Sequence, residues 1–168
     1  MIDHDWPEYP DRPTLSLDEF RQRTGGAPFV SDWLSVDQAL FDGFAAATGD
    51  DAFIHTDPAK AQRTRFKGTI AHGLLILSLL PFMLRSATPI LAGTRMGVNY
   101  GYDRVRFLEP VPCDSKVRGA FSLIDLEFKN EGFVVIHFDV QVQIEGHEKP
   151  ALAARWLLGR WLDLRDGR

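Results

Sequence analysis

Two hydrophobic periods divide the chain near Pro89. Beyond it, apolar residues alternate with polar ones: Val105 and Phe107, then Val117, Ala120, Phe121 and Leu123, then Val134, Ile136, Phe138, Val140, Val142 and Ile144. A period of two marks a strand with one buried face, because successive side chains on a pleated backbone point to opposite sides. The breaks fall at Pro110-Val111-Pro112, Asn130-Glu131-Gly132 and Glu145-Gly146-His147, residue types that favour turns. A last strand is predicted over Ala151 to Leu162, carrying Trp156 and Trp161.

Before Pro89 the period is helical. A short helix is predicted from Ser16 to Arg23, stopped at Gly25-Gly26. Ser35 with Gln38 three residues on reads as a capping box, opening a helix whose Leu40, Phe41, Phe44 and Ala45 share a face as far as Thr48-Gly49. Asp57-Pro58 supplies an N-cap and a first helical position for another short helix through Ala61. From Ile70 to Arg85 the apolar residues surround the axis, which predicts one central helix buried on nearly all sides. Phe41, Phe44, Leu74, Leu75, Leu77 and Leu80 then read as core. Helices first and an antiparallel sheet second, around one buried helix, is an α+β layout. Residues 1–12 hold acids and prolines without a period and read as an arm on the surface or on a partner. The expected division is an arm with a short helix over 1–29 and one domain over 30–168.

Composition narrows the function. The 168 residues, 45% of them hydrophobic, suffice for one core and not comfortably for two. A net charge of −4 offers no basic footprint for nucleic acid or an anionic membrane, so the expected partner is a small molecule. Cys113 is the one cysteine and cannot form an internal disulfide. With the acidic start Met1 to Pro10, unlike an export signal, it suggests a reducing cytoplasm. The apolar stretch Gly73 to Leu84 contains Ser78 and Pro81 and falls well short of the roughly twenty residues that span a bilayer.

The segment Thr48-Gly49-Asp50-Asp51-Ala52-Phe53-Ile54-His55-Thr56-Asp57 places two proton-transfer groups five residues apart, in a loop between helices. Downstream, Gly68-Thr69-Ile70-Ala71-His72-Gly73 leads into the central helix, whose first N–H groups suit a carbonyl oxygen that gains negative charge. An aspartate and a histidine at this spacing are, taken alone, more often a cap and a hydrogen-bonded surface residue than a catalytic pair. A metal set from Asp50, His55, Asp57 and His72 is chemically conceivable but is not expected. His72 reads as a cap or orienting group for the helix start, and Cys113 as structural.

Thr-Gly-Asp-x-x-x-Ile-His-x-Asp spaced from Ile-Ala-His-Gly resembles the hydratase motif of MaoC-like dehydratases, hot-dog proteins that act on enoyl thioesters. The run Gly97-Val98-Asn99-Tyr100-Gly101-Tyr102-Asp103-Arg104-Val105-Arg106-Phe107, with Pro110-Val111-Pro112 behind it, is similar to the nodulation protein N-like branch. The resemblance covers Val30 to Leu162. It implies a single hot-dog, an antiparallel sheet around a long central helix, and reversible (R)-specific hydration of trans-2-enoyl-CoA to (R)-3-hydroxyacyl-CoA. It further implies Asp50 and His55 as catalytic residues, the Gly73 N–H as oxyanion donor, a homodimer with joined sheets, coenzyme A as the substrate's carrier and no further cofactor. Asn99 and Tyr100 are candidates for lining the substrate channel, and Lys67, Arg104 and Arg106 for meeting the carrier's phosphates. Ala52-Phe53 replaces the Asn-Pro of many relatives, and Pro81 a serine found in some, so substrate shape is left open. The alternatives are a hot-dog acyl-CoA thioesterase and a non-catalytic acyl-thioester or lipid-binding module.

Overall fold

The computed structural model describes residues 11–130 and 132–163; residues 1–10, most of the expected arm, and Glu131 of the expected turn lie outside the described residues. The chain runs β1 (Thr14–Leu15), α1 (Leu17–Arg21), β2 (Phe29–Val30), β3 (Leu34–Val36), α2 (Gln38–Thr48), α3 (Phe53–Thr56), α4 (Pro58–Ala61), α5 (Gly73–Ser78) and α6 (Leu80–Ala87). It continues through β4 (Ile90–Leu91), β5 (Thr94–Phe107), β6 (Ser115–Asn130), β7 (Phe133–Ile144) and β8 (Leu152–Leu162). Antiparallel pairing orders the main sheet β2-β6-β7-β8-β5, with β3 also on β6, while β1 and β4 pair parallel to one another.

The alternation from Val134 to Ile144 holds: Val134, Ile136, Phe138, Val140, Val142 and Ile144 are all buried. They meet Val117, Phe121 and Leu123 of β6 and Trp156 and Leu158 of β8 in one core, into which Leu80, Met83 and Leu84 of α6 insert. Phe121 lies between Phe138 and Trp156, with ring centroids 6.1 and 6.2 Å away. The result is the α+β hot-dog fold, a curved antiparallel sheet around helix.

Three expectations are corrected. The central helix is not one rod. Pro81 has no N–H to offer the preceding turn, and the helix divides at Leu79 into α5 and α6. Nor is it buried all round, because Leu74 is 60% exposed and so is not core. The capping box at Ser35 does not form: Ser35 belongs to β3, and Asp37 caps α2 through Oδ1, which accepts from Leu40 N at 2.9 Å. A true capping box stands one helix earlier, where Ser16 and Glu19 exchange hydrogen bonds at the start of α1.

Strand β5 is far longer than Val105 and Phe107 suggest. It forms an edge, and most of its side chains are exposed, so it has no inside and outside for an alternation to record. Among the described residues no helix is long and apolar enough to cross a membrane.

Candidate active site

The site is assembled from three short backbone turns. Helix α2 ends at Gly49, whose φ of 78° lies in the left-handed region that favours glycine, and its N–H bonds Ala45 O at 2.8 Å. The chain therefore leaves the helix sharply, presenting Asp50 at the surface. Asp50 and His55 were expected to share one loop; His55 instead sits on the single-turn helix α3. As expected, Asp57 caps α4, with Oδ1 accepting from Lys60 N at 2.9 Å. That hydrogen bond lowers the pKa of the Asp57 carboxyl below the ordinary carboxylate value.

The second motif is stitched onto this turn by main-chain bonds. Ile70 N donates to Ile54 O at 3.0 Å, Ala71 N to Val111 O at 2.8 Å, and Cys113 N to Thr69 O at 2.9 Å. The expected turn Pro110-Val111-Pro112 thus acts as a short strand against Thr69 to Ala71, with Ile70 paired to Pro112. Cys113 packs against the core, and burial, followed by the Asp114 charge, pushes its thiol above the ordinary value. A thiol of that kind is a poor nucleophile.

The imidazoles are oriented by carbonyls. His55 Nδ1 lies 2.7 Å from Ile70 O, and His72 Nε2 lies 2.8 Å from Asp50 O. A carbonyl only accepts, so both of these nitrogens carry hydrogen, and a neutral His55 has its lone pair on Nε2. The rings stack at 3.8 Å with planes 26° apart, and the Phe44 ring lies 5.0 Å from that of His72. His72 is 2% exposed, makes no capping bond at the start of α5, and leaves Nδ1 buried without a partner. It orients the Asp50 turn rather than the helix start for which a cap was expected.

Asp50, His55 and His72 each bring one polar atom within 4.8 Å of the others. That spacing lets the cluster exchange protons, and the same three residues are the ones a metal ion would take as ligands. Asp57, occupied with capping, stands outside it.

Asp50, His55, His72 and Gly73 line one pocket of about 270 Å³ with Leu74, Phe107, Glu109 and Val111. Gly73 is the first residue of α5, so its N–H has no partner within the helix. A β-carbon at this position would lie 2.8 Å from the Phe107 ring, so glycine is needed for space as well as for access. The other candidates stand elsewhere. Asn99 lines a second cavity, where its Oδ1 accepts from Trp156 Nε1 at 2.6 Å and its Nδ2 donates to Tyr102 at 3.0 Å. Tyr100 packs beside Phe133. Arg104 and Arg106 line an outer groove with Arg155, and Lys67 is exposed in the loop before Thr69.

One positioning residue escapes the sequence reading. Gln38 Nε2 donates to His55 O and to Asp42 Oδ1, each at 2.8 Å, while its Oε1 accepts from Thr69 Oγ1 at 2.6 Å. It joins α2 to both motifs. The signal that singled it out, its spacing from Ser35, assigned it to the wrong partner.

Comparison with known proteins places this arrangement. The model of the MaoC like domain matches residues 19–147. The chain belongs to the MaoC-like domain family. Its relatives include Nodulation protein N of Rhizobium leguminosarum bv. viciae, 45% identical over 144 residues that cover 85% of this chain and 89% of the relative. They also include 3-hydroxyacyl-thioester dehydratase Z of Mycobacterium tuberculosis strain H37Rv, 41% identical over 124 residues, 74% of this chain and 82% of the relative. The MaoC-like fold is shared with the R-hydratase PhaJ1 of Pseudomonas aeruginosa at a TM-score of 0.64 and 22% identity, over 82% of this chain and 83% of that one.

Proposed function

We propose that this MaoC-like protein is an (R)-specific enoyl-thioester hydratase, working reversibly on trans-2-enoyl-CoA. The observation that carries the reading is the single pocket in which Asp50, a His55 with its Nε2 lone pair free, and the Gly73 N–H come together. Membership of the family and the dehydratase name of the mycobacterial relative support hydro-lyase chemistry.

In the hydration direction, Asp50 and His55 hold a water molecule, and its oxygen adds to C3 as one of its protons passes to the pair. The C2–C3 π electrons move toward the thioester carbonyl, and the enolate oxygen accepts from Gly73 N–H. Return of a proton from the pair to C2 gives the 3-hydroxyacyl thioester and restores the enzyme. Protein groups supply every step, and no further cofactor is invoked. His72 and Gln38 keep the two reacting side chains in register.

The free edge of β5, with Met96, Val98 and Tyr100 exposed along it, supports a homodimer whose sheets join there. Light scattering at micromolar concentration tests this; a monomer with full activity removes it.

The decisive assay offers crotonyl-, hexenoyl-, octenoyl- and longer enoyl-CoA while following enoyl absorbance and free thiol together. Loss of absorbance without thiol release is the expected result. Thiol release from saturated acyl-CoA instead would make the protein a thioesterase, and binding without turnover would make it a carrier module.

A further inference from the structure

The largest charge anomaly lies away from Asp50 and His55. In β8 the inward positions read Ala154, Trp156, Leu158, Arg160 and Leu162, so a cation stands where the alternation calls for an apolar side chain. Arg160 lies under the edge strand, and its neighbour in β5 is Gly97, where a β-carbon would come within 2.1 Å of Nη1. Glycine at 97 therefore leaves the notch through which the guanidinium reaches the interior.

That interior is a cavity of about 470 Å³ between α6 and β5, a size that accommodates small organic ligands. Its walls include Leu84, Leu91, Ile136, Phe138, Trp156 and Leu158, and among the described residues no aspartate or glutamate lines it. Arg12 lines it as well, with one guanidinium N–H on Thr88 O at 3.2 Å. Arg160 donates to the neighbouring Gly159 O at 3.2 Å and meets no carboxylate among the described residues. Burial, and then the nearby Arg12, both press its pKa below the ordinary arginine value. Among the described residues, Arg12 and Arg160 converge on a chamber that Arg85 also lines and no carboxylate does, an arrangement suited to an anion. The planar guanidinium fork fits a carboxylate with two parallel hydrogen bonds.

We infer that this cavity binds an apolar chain ended by a carboxylate, with the chain against Leu84, Phe138 and Trp156 and the carboxylate on Arg160 and Arg12. Two sources share that chemistry: a free fatty acid, and the distal carboxylate of a dicarboxylic acyl thioester. The assignment does not depend on the hydratase reading, because no residue of the Asp50 pocket takes part in it.

Isothermal calorimetry on the full chain provides the test, with dodecanoate as the probe and dodecanol as its neutral counterpart. Dodecanoate should bind at least tenfold more tightly than dodecanol. Arg160→Met should erase that preference by weakening the acid alone, Arg160→Lys should restore part of it, and Gly97→Ala should weaken the acid by displacing the guanidinium. Asp50→Asn should leave binding unchanged, which separates this site from the proposed catalysis. Competition by dodecanoate against enoyl-CoA turnover would identify the distal end of the substrate, and binding without competition would identify a free fatty acid. Equal binding of acid and alcohol, or an Arg160→Met chain that binds dodecanoate as the parent does, overturns the proposal.

Discussion

At the start of α5 each imidazole has one nitrogen on a backbone carbonyl, and the turns that carry them are tied together main chain to main chain. Beneath β5 the position is reversed: the walls are side chains of regular strands and a helix, while Arg160 finds, among the described residues, only its neighbour's carbonyl. The first region has its polar groups placed in advance, as a site must when charge develops quickly and cannot wait for reorganisation. The second has its shape placed in advance and its charge left unanswered, as a site does when the missing charge arrives with the ligand. Preorganisation is thus divided between the two ends of one broken helix.

The sharpest way to break this contrast is to remove the reacting groups. Asp50→Asn and His55→Gln should each lower enoyl-CoA hydration by about two to four orders of magnitude, the range for lost general acid–base groups. Both variants should keep the parent's circular dichroism, since neither side chain supports the core. Near-full turnover in either one would remove that residue from the mechanism.

The same contrast explains what was legible in the sequence. The alternation in β6, β7 and β8 was plain because those strands have one face on the core; β5, exposed along most of its length, left only Val105 and Phe107 as a trace. Asp50, His55 and Gly73 could be placed together because two motifs with a fixed spacing carry them. The work of Gln38 and His72 could not be read, because each ties one motif through a backbone carbonyl, His55 O or Asp50 O, whose own side chain is irrelevant to the contact. Local rules also misled where tertiary contacts prevailed: Ser35 was drawn into a strand against Lys116, and Pro81 divided a run whose hydrophobicity was continuous.

A smaller loss is expected at Gly73. Valine there places a β-carbon against the Phe107 ring, which must move, and the branched side chain crowds the approach to the N–H. Turnover should fall about a hundredfold, the scale of a lost oxyanion donor. Kinetics of Gly73→Val with and without Phe107→Ala separate the two causes. Full recovery in the double variant would mean that Gly73 serves only to make room for Phe107, and the oxyanion role would then pass elsewhere.

The smallest effects should differ in sign between the two regions, and urea unfolding measures both. Gln38→Leu keeps the bulk of the side chain but strips the hydrogen bonds from His55 O and the Thr69 hydroxyl, leaving half-buried polar atoms without partners. A loss of about 1 to 3 kcal/mol is expected for such orphaned groups. Arg160→Met also keeps length, yet it removes a cation that no carboxylate answers and puts a flexible apolar side chain against Leu84 and Leu158. Among the described residues its one hydrogen bond is to Gly159 O, so little is given up. Because Arg160 is only half-buried and water still screens it, the gain should be modest, about 0.5 to 1 kcal/mol on the usual scale of single substitutions. If Arg160→Met instead destabilised the chain as much as Gln38→Leu, the guanidinium would be holding the fold together. The distinction between a site complete in itself and one awaiting its anion would then fail.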